Sequence, residues 1–296
     1  MRNPFSKIIP EPAPKRKVTL LPISDTHSGG STALFPHYNE LQNGYWQFKH
    51  TRYTPSGKQC DMAKHFDYCA DRILEKRDGN QLVIVSNGDM IDGAHHNTLQ
   101  LATHNLDEQM DVYVWLMQRF FKRVGFDKSK GDKFYVVSGT ETHTAEKEDL
   151  IAKELGAEQN PDGGDLFDFL PLDINGKLFW FLHQGAGPGK GANMGNALHN
   201  WMRNKYFELM EANERIPDGV IMGHYHVPLY DTYTRNHKTM HGWILPSFQL
   251  KTRFGYKVAA AELERIGIYS IDVSANGEII ASPPMVMAQR NNTVYV

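Results

Sequence analysis

The sequence predicts an α/β layered fold, and three observations predict it. Short apolar runs closed by turn residues recur at 18–30, 81–86, 133–138, 177–183 and 219–222, amphipathic helical stretches separate most of them, and the tail turns strand-like at 239–250 and 266–287. Strands alternating with helices build a sheet covered by helices, whereas consecutive strands joined by tight turns pair antiparallel. With Ser274-Ala275-Asn276-Gly277 as a hairpin turn candidate, the tail implies a second sheet, at least partly antiparallel.

The elements follow in order. Residues 1–16 hold four prolines and several basic residues and read as an extended arm; residues 17–296 read as a single domain. Val18 to Ile23 is a buried strand that stops at Asp25-Thr26-His27. Residues 28–58 form a long loop insertion without clear period, whose aromatics Phe35, Tyr38, Tyr45, Trp46, Phe48 and Tyr53 are read first as a small satellite core and second as a substrate-facing loop. Residues 61–77 carry Met62, Phe66, Cys69, Ile73 and Leu74 at helical spacing, with Asp61 as N-cap and Gly79 beyond the end. QLVIVS at 81–86 is the second strand and leads to Asn87-Gly88-Asp89. A helix at 105–124 follows, its apolar stripe running from Leu106 to Val124. KFYVVS at 133–138 leads to Gly139-Thr140-Glu141-Thr142-His143 and a helix from Glu146 to Leu155. KLFWFLH at 177–183 precedes a glycine-rich turn and a helix near 191–213, and Gly219 to Met222 ends in Gly223-His224-Tyr225-His226.

Composition narrows the function classes. With 32 Lys plus Arg against 34 Asp plus Glu, the formal charge of −2 gives no support to a surface built for duplex phosphate attraction. Two cysteines nine residues apart, Cys60 and Cys69, make neither a disulfide framework nor a zinc spacing and fit a reducing interior. No charged-then-apolar leader and no apolar run approaching a membrane span is present, so a cytoplasmic protein is expected. Histidine is the outlier at 14 copies, several of them in glycine-bounded loops, which directs attention to metal chemistry.

The strand ends carry Asp25 and His27, Asp89, the Thr140 to His143 turn, His183, then His224 and His226. Loops at the carboxyl ends of strands converge on ligands in α/β sheets. Asp25 and His27, two apart, can point to one side if extended geometry persists. Two carboxylates with four imidazoles suit a pair of divalent transition ions sharing one bridging carboxylate.

In this order the motifs resemble the calcineurin-like metallophosphoesterase superfamily: Asp-x-His, Gly-Asp, a third turn, a strand-end His and Gly-His-x-His, spanning Asp25 to His226. The resemblance implies a four-layer fold, a two-sheet β-sandwich of mixed strands flanked by helices. It implies that Asp25, His27, Asp89 and His226 hold one metal, and that Asp89 bridges to a second held by His183 and His224. The third motif departs from the family's Gly-Asn-His and reads Gly-Thr-Glu-Thr-His, so Thr140, Glu141, Thr142 or a water takes the asparagine's place. His143 is matched to the family's catalytic histidine. Together with Asp92-Gly93-Ala94-His95-His96-Asn97, this variant resembles versions carried by bacteriophages and prophages.

The function so implied is dinuclear-metal-dependent phosphoester hydrolysis, with Mn²⁺ favoured over Fe²⁺, Zn²⁺ or Ni²⁺ and a phosphodiester of nucleic acid or a nucleotide as first substrate class. A phosphomonoesterase or protein phosphatase, or a non-catalytic scaffold of the same fold, are the alternatives. Outside the motifs, Gly185 to Gly191 reads as a flexible turn before a phosphate cradle, since Gly191 stands where a P-loop needs Ser or Thr. His95, His96 and His104 read as exposed loop residues first and substrate contacts second. Lys251, Arg253, Phe254, Tyr256 and Lys257 interleave charge with rings, a pattern shared by solvated loops and single-strand binders.

Overall fold

Alternation along β1 (Val18–Ile23) sends Val18 and Leu20 to one side and Leu21 and Ile23 to the other, and all four are buried. A strand covered on both faces belongs to the interior of a layered structure. The computed structural model describes residues 15–94, 99–144, 147–253, 255 and 263–289 and has this layered architecture. The arm at 1–14, the pair His95 and His96, and the segment holding Phe254, Tyr256 and Lys257 lie outside the described residues.

After β1 the chain forms the short pair β2 (Trp46–Gln47) and β3 (Arg52–Tyr53), then α1 (Gly57–Arg77), β4 (Gln81–Asn87), α2 (Leu106–Val124) and β5 (Lys133–Val137). Next come α3 (Glu141–Thr144), α4 (Lys147–Glu154), β6 (Leu170–Ile174), β7 (Lys177–Leu182), α5 (Asn196–Glu211) and β8 (Gly219–Met222). The tail adds β9 (Leu229–Arg235), β10 (Lys238–Ile244), β11 (Glu264–Ile268), β12 (Ile271–Val273), β13 (Ile279–Ala281) and β14 (Met285–Gln289).

One sheet runs β13-β12-β1-β4-β5 and the other β6-β7-β8-β10-β9. Both are mixed: β1, β4 and β5 are parallel, as are β7, β8 and β10, while β12 and β13 in the first sheet and β6 and β9 in the second pair antiparallel. Leu20, Val83, Phe179, Phe181, Ile221 and Trp243 pack between the sheets. Helices α1 and α2 cover the outer face of the first sheet through Met62, Phe66, Met117 and Phe120, and α5 covers the second through Leu198, Met202 and Tyr206. Each such large apolar side chain contributes about 1.5–3 kcal/mol by leaving water. The four-layer mixed sandwich is therefore the fold, and it places the carboxyl ends of β1, β4, β5, β7 and β8 along one rim.

Several details differ from the sequence expectation. Helix α1 begins a turn earlier, because Ser56 and Gln59 form a reciprocal capping box; Asp61 is an interior residue. The helix expected near 191–213 is Asn196–Glu211, preceded by a single 3-10 turn at Gly191–Asn193. Strand β6 is an addition to the expected strands, and Asn175-Gly176, with φ of 55° and 86°, is the two-residue turn that closes the β6–β7 hairpin. The turn at Ser274–Gly277 does join two antiparallel strands, β12 and β13, which extend the first sheet, while the antiparallel pairing expected of the tail in another sheet is made by β10 with β9 in the second sheet and by β11 with β14 in a two-stranded sheet. Much of the second sheet comes from the middle of the chain. The rings at Phe35 and Phe48 are buried with the α1–α2 core, and Trp46 and Tyr53 pack against it, so these rings join the main core.

Candidate metal centre

The two strand ends that begin the site are stitched together by backbone hydrogen bonds. Asp25 N donates to Gly88 O at 3.1 Å and His27 N to Asp89 O at 3.0 Å, so β1 and β4 stay paired beyond their last regular residues. Extended geometry does not persist there. Asp25, His27, Asp89, His224 and His226 all adopt positive φ, at 54°, 45°, 48°, 70° and 56°. Left-handed backbone at non-glycine residues is disfavoured and gathers at functional sites, where surrounding packing holds it. Convergence of these side chains comes from that kinked backbone, not from the two-residue period of a strand.

Glycines make room for the approach. A Cβ on Gly88 would stand 2.3 Å from His183 Nδ1, and one on Gly139 would stand 2.2 Å from Asp89 N. Neither position tolerates a side chain, which is the physical reason for glycine at both.

The resulting donor atoms crowd together. His27 Nε2 lies 3.3 Å from His226 Nε2, and His226 Nε2 lies 3.2 Å from Asp25 Oδ1. His183 Nε2 is 3.1 Å from Asp89 Oδ2, while Asp89 Oδ2 is 3.9 Å from His27 Nε2. Ligands about 2.1 Å from one divalent ion, spread at tetrahedral to octahedral angles, stand about 3.0–3.4 Å from one another. Three sets of ligand atoms each fall within 4.8 Å: Asp25, His27 and His226; His27, Asp89 and His143; Asp89, His183 and His224. His27 and Asp89 each belong to two of them, and of the two only Asp89, a carboxylate with two oxygens, can bridge a pair of ions. His183 Nε2 and His27 Nδ1 are both buried without a regular hydrogen bond, and each stands 3.1 Å from a carboxylate oxygen, Asp89 Oδ2 and Asp92 Oδ1. The residues fit divalent metal.

The opposite ring nitrogens are held from behind. His183 Nδ1 lies 2.8 Å from the Asn87 carbonyl, and His27 Nδ1 lies 3.1 Å from Asp92 Oδ1. Such partners orient an imidazole and select which nitrogen faces the ion. Asp25 Oδ2 accepts from His224 N at 3.0 Å, which leaves Oδ1 toward His226.

Electrostatics point the same way. Burial acts to raise the Asp25 carboxyl, yet His226 and His183 outweigh it and hold the group below its ordinary value. Burial acts to lower His183, but the Asp89 and Asp25 carboxylates prevail and raise it to about 9. Burial works against a charged His27 too, and Asp92 with Asp89 overcomes it. His224 moves down, first through burial and then through the neighbouring His183. Buried carboxylates kept ionised beside imidazoles drawn toward positive charge form a strongly cation-attracting pocket.

The third motif resolves into distinct places. Thr140 lies against Asp89 and His224, whereas Glu141 and Thr142 are exposed. His143 directs Nδ1 to the Asp92 carbonyl at 2.8 Å and stands edge-on to His27 with ring centroids 4.7 Å apart. His104 is exposed. Lys251 and Arg253 have their backbone amides tied to Glu264 and Gln100.

Three supporting residues are not marked by any strand-end motif. Asp92 backs His27 and is itself held by Gln249 Nε2 at 2.9 Å. Gln109, fully buried, clamps Gly93 by accepting from its N–H and donating to its carbonyl. Glu148 accepts the Gly139 N–H at 2.9 Å. Only Asp92 carries a sequence signal, its position three residues after Asp89; the glutamine and glutamate lie on helices whose apolar pattern hides them.

Two mixed sheets flanked by helices, with strand-end Asp and His residues gathered at one rim, are the arrangement that resemblance to the calcineurin-like metallophosphoesterases implies. The sequence matches no protein-family model and no curated protein. Among solved structures it is similar to an uncharacterised Streptococcus pneumoniae protein described as a predicted phosphoesterase, with 9% identity over 92% of this chain and 98% of the other at a TM-score of 0.32. It is also similar to the Haemophilus influenzae NAD nucleotidase, with 11% identity over 90% of this chain and 55% of the other at a TM-score of 0.37. The sulfate thiohydrolase SoxB of Thermus thermophilus shows 15% identity over 94% of this chain and 57% of the other at a TM-score of 0.34. Likenesses this distant carry no conclusion about activity. Among the described residues, no helix is long and apolar enough to cross a membrane.

Proposed function

We propose that this chain is a metal-dependent phosphoric ester hydrolase. The observation that carries the reading is the donor spacing: ring nitrogens and carboxylate oxygens from four separate strand ends gather into clusters whose closest pairs stand 3.1–3.3 Å apart and others 3.9 Å. Asp25, His27, Asp89 and His226 would hold one divalent ion; Asp89, His183 and His224 would hold a second. Ions so held supply a Lewis acid for a phosphoryl oxygen and lower the pKa of an attacking water.

The chain's own groups do the rest. Asp92 keeps His27 Nε2 turned into the cluster. His143 donates Nδ1–H to the Asp92 carbonyl, so Nε2 is the nitrogen that would take up a second proton and, from the imidazolium, pass it to the departing alkoxide. The proposed substrate is a phosphodiester of nucleic acid or a nucleotide, Mn²⁺ the proposed metal and the cytoplasm the proposed setting; the 1–16 arm and the 17–296 catalytic domain are the proposed division of the chain.

Hydrolysis of an aryl phosphodiester by Mn²⁺-loaded protein, beside Asp89→Asn and beside the matching monoester, tests this. Diester cleavage lost in the variant is the expected result. Cleavage of the monoester alone would overturn the diester assignment, and no cleavage of either by metal-loaded protein would favour a scaffold.

A further inference from the structure

Beside Asp89 and His224, the atom standing where a further donor is needed is the side-chain oxygen of Thr140. It lies 3.3 Å from Asp89 Oδ2 and 3.3 Å from His224 Nδ1. Those separations match the two shortest in the first cluster, His27 to His226 and His226 to Asp25, and they are the spacing of ligands around a single ion. We infer that Thr140 is a ligand of the second metal through Oγ1, an inference that rests on the metal-dependent function proposed above.

Three further facts hold that oxygen in place. The Thr140 amide donates to Asp89 Oδ1 at 2.6 Å, which ties the residue to the bridging carboxylate independently of its side chain. The preceding Gly139 N–H is bound by both oxygens of the buried Glu148 at 3.1 and 2.9 Å. Gly139 packs so closely on Asp89 that a Cβ there would stand 2.2 Å from the Asp89 nitrogen, which brings the next residue, Thr140, up to the cluster. Glu141, whose charge would make it the stronger ligand, is exposed.

The substitution has a chemical consequence. The first ion would meet two carboxylates, Asp25 and Asp89, with two imidazoles; the second would meet the shared Asp89, two imidazoles and a neutral hydroxyl. A hydroxyl is a hard but weak donor. The second ion is therefore bound less tightly and exchanges more readily than the first.

Calorimetric titration of chelator-stripped protein with Mn²⁺, followed by electron paramagnetic resonance for the spin-coupled pair, tests the assignment without reference to activity. The native chain takes up two ions in unequal steps. Thr140→Val, which keeps the shape and the backbone amide but removes the oxygen, weakens the second step by at least about tenfold and leaves the first unchanged. Thr140→Ser retains the second step. A Thr140→Val protein that binds both ions as the native chain does would overturn the assignment while leaving the metal site standing. A native chain that binds no Mn²⁺ would overturn the proposed function and this ligand with it. If Thr140→Val does not fold, Thr140→Ala against Thr140→Ser makes the same comparison.

Discussion

Asp92 Oδ1 stands 3.1 Å from His27 Nδ1, so a buried carboxylate backs the imidazole whose other nitrogen faces the metal cluster. The same residue offers its backbone carbonyl to His143 at 2.8 Å. One short turn thus orients a proposed ligand through its side chain and the proposed acid through its main chain.

These two roles separate experimentally. Asp92→Asn keeps the carbonyl that His143 needs and loses the charge behind His27. Loss of such a partner lowers metal affinity by about 10–100-fold. Mn²⁺ titration should show that loss in the ion held by His27, and excess Mn²⁺ should restore much of the activity. Unchanged affinity would remove Asp92 from the site's support.

His143→Gln should leave Mn²⁺ binding intact and slow turnover by about 10²–10⁴-fold on a diester with a poor leaving group. With a nitrophenolate leaving group, which needs no proton, the loss should be much smaller. Steady-state kinetics on the two substrates decides it. An equal loss on both would mean that His143 does not act as the acid.

Glu148 provides a stability test in metal-free protein. Burial first, then the nearby Asp89 charge, pushes its carboxyl up to about 8, against an ordinary value of 4.5. A group whose folded pKa is raised contributes stability fully present below its unfolded pKa and lost as pH rises through the folded one. Native protein should therefore lose a few kcal/mol between pH 4.5 and about 8 from this group. Glu148→Gln, which never charges and keeps an acceptor for Gly139, should lack that slope. Urea midpoints measured against pH in the presence of chelator check it, and parallel curves for the two proteins would refute it.

Much of the site is legible in the sequence. Asp25, His27, Asp89, His183, His224 and His226 stand at strand ends because apolar runs and the turn residues that stop them are local signals, encoded within a few positions. Gly88, Gly139 and Gly223 are equally visible, and the tail hairpin at Ser274–Gly277 follows from turn chemistry alone. The Asn175-Gly176 turn is local too, but Pro171 within β6 disguises the strand that precedes it.

The remaining features depend on contacts between segments far apart in the chain, which no local pattern encodes. Left-handed backbone at Asp25, His27, Asp89, His224 and His226 costs energy locally and is held by the packing of one strand end on another. Thr140, rather than its charged neighbour Glu141, meets Asp89 and His224 because the turn is pinned by Glu148 and by the absence of a Cβ at Gly139. Of the tail strands, β12 and β13 join the first sheet because β1 offers its free edge to β12, β9 and β10 complete the second, and β11 and β14 pair with each other. Sequence alone therefore determined which chemical groups lie at the rim, since residue type and strand ends are local. Tertiary structure decided which atoms of those groups face one another, since those distances are set by how the two sheets and their helices pack.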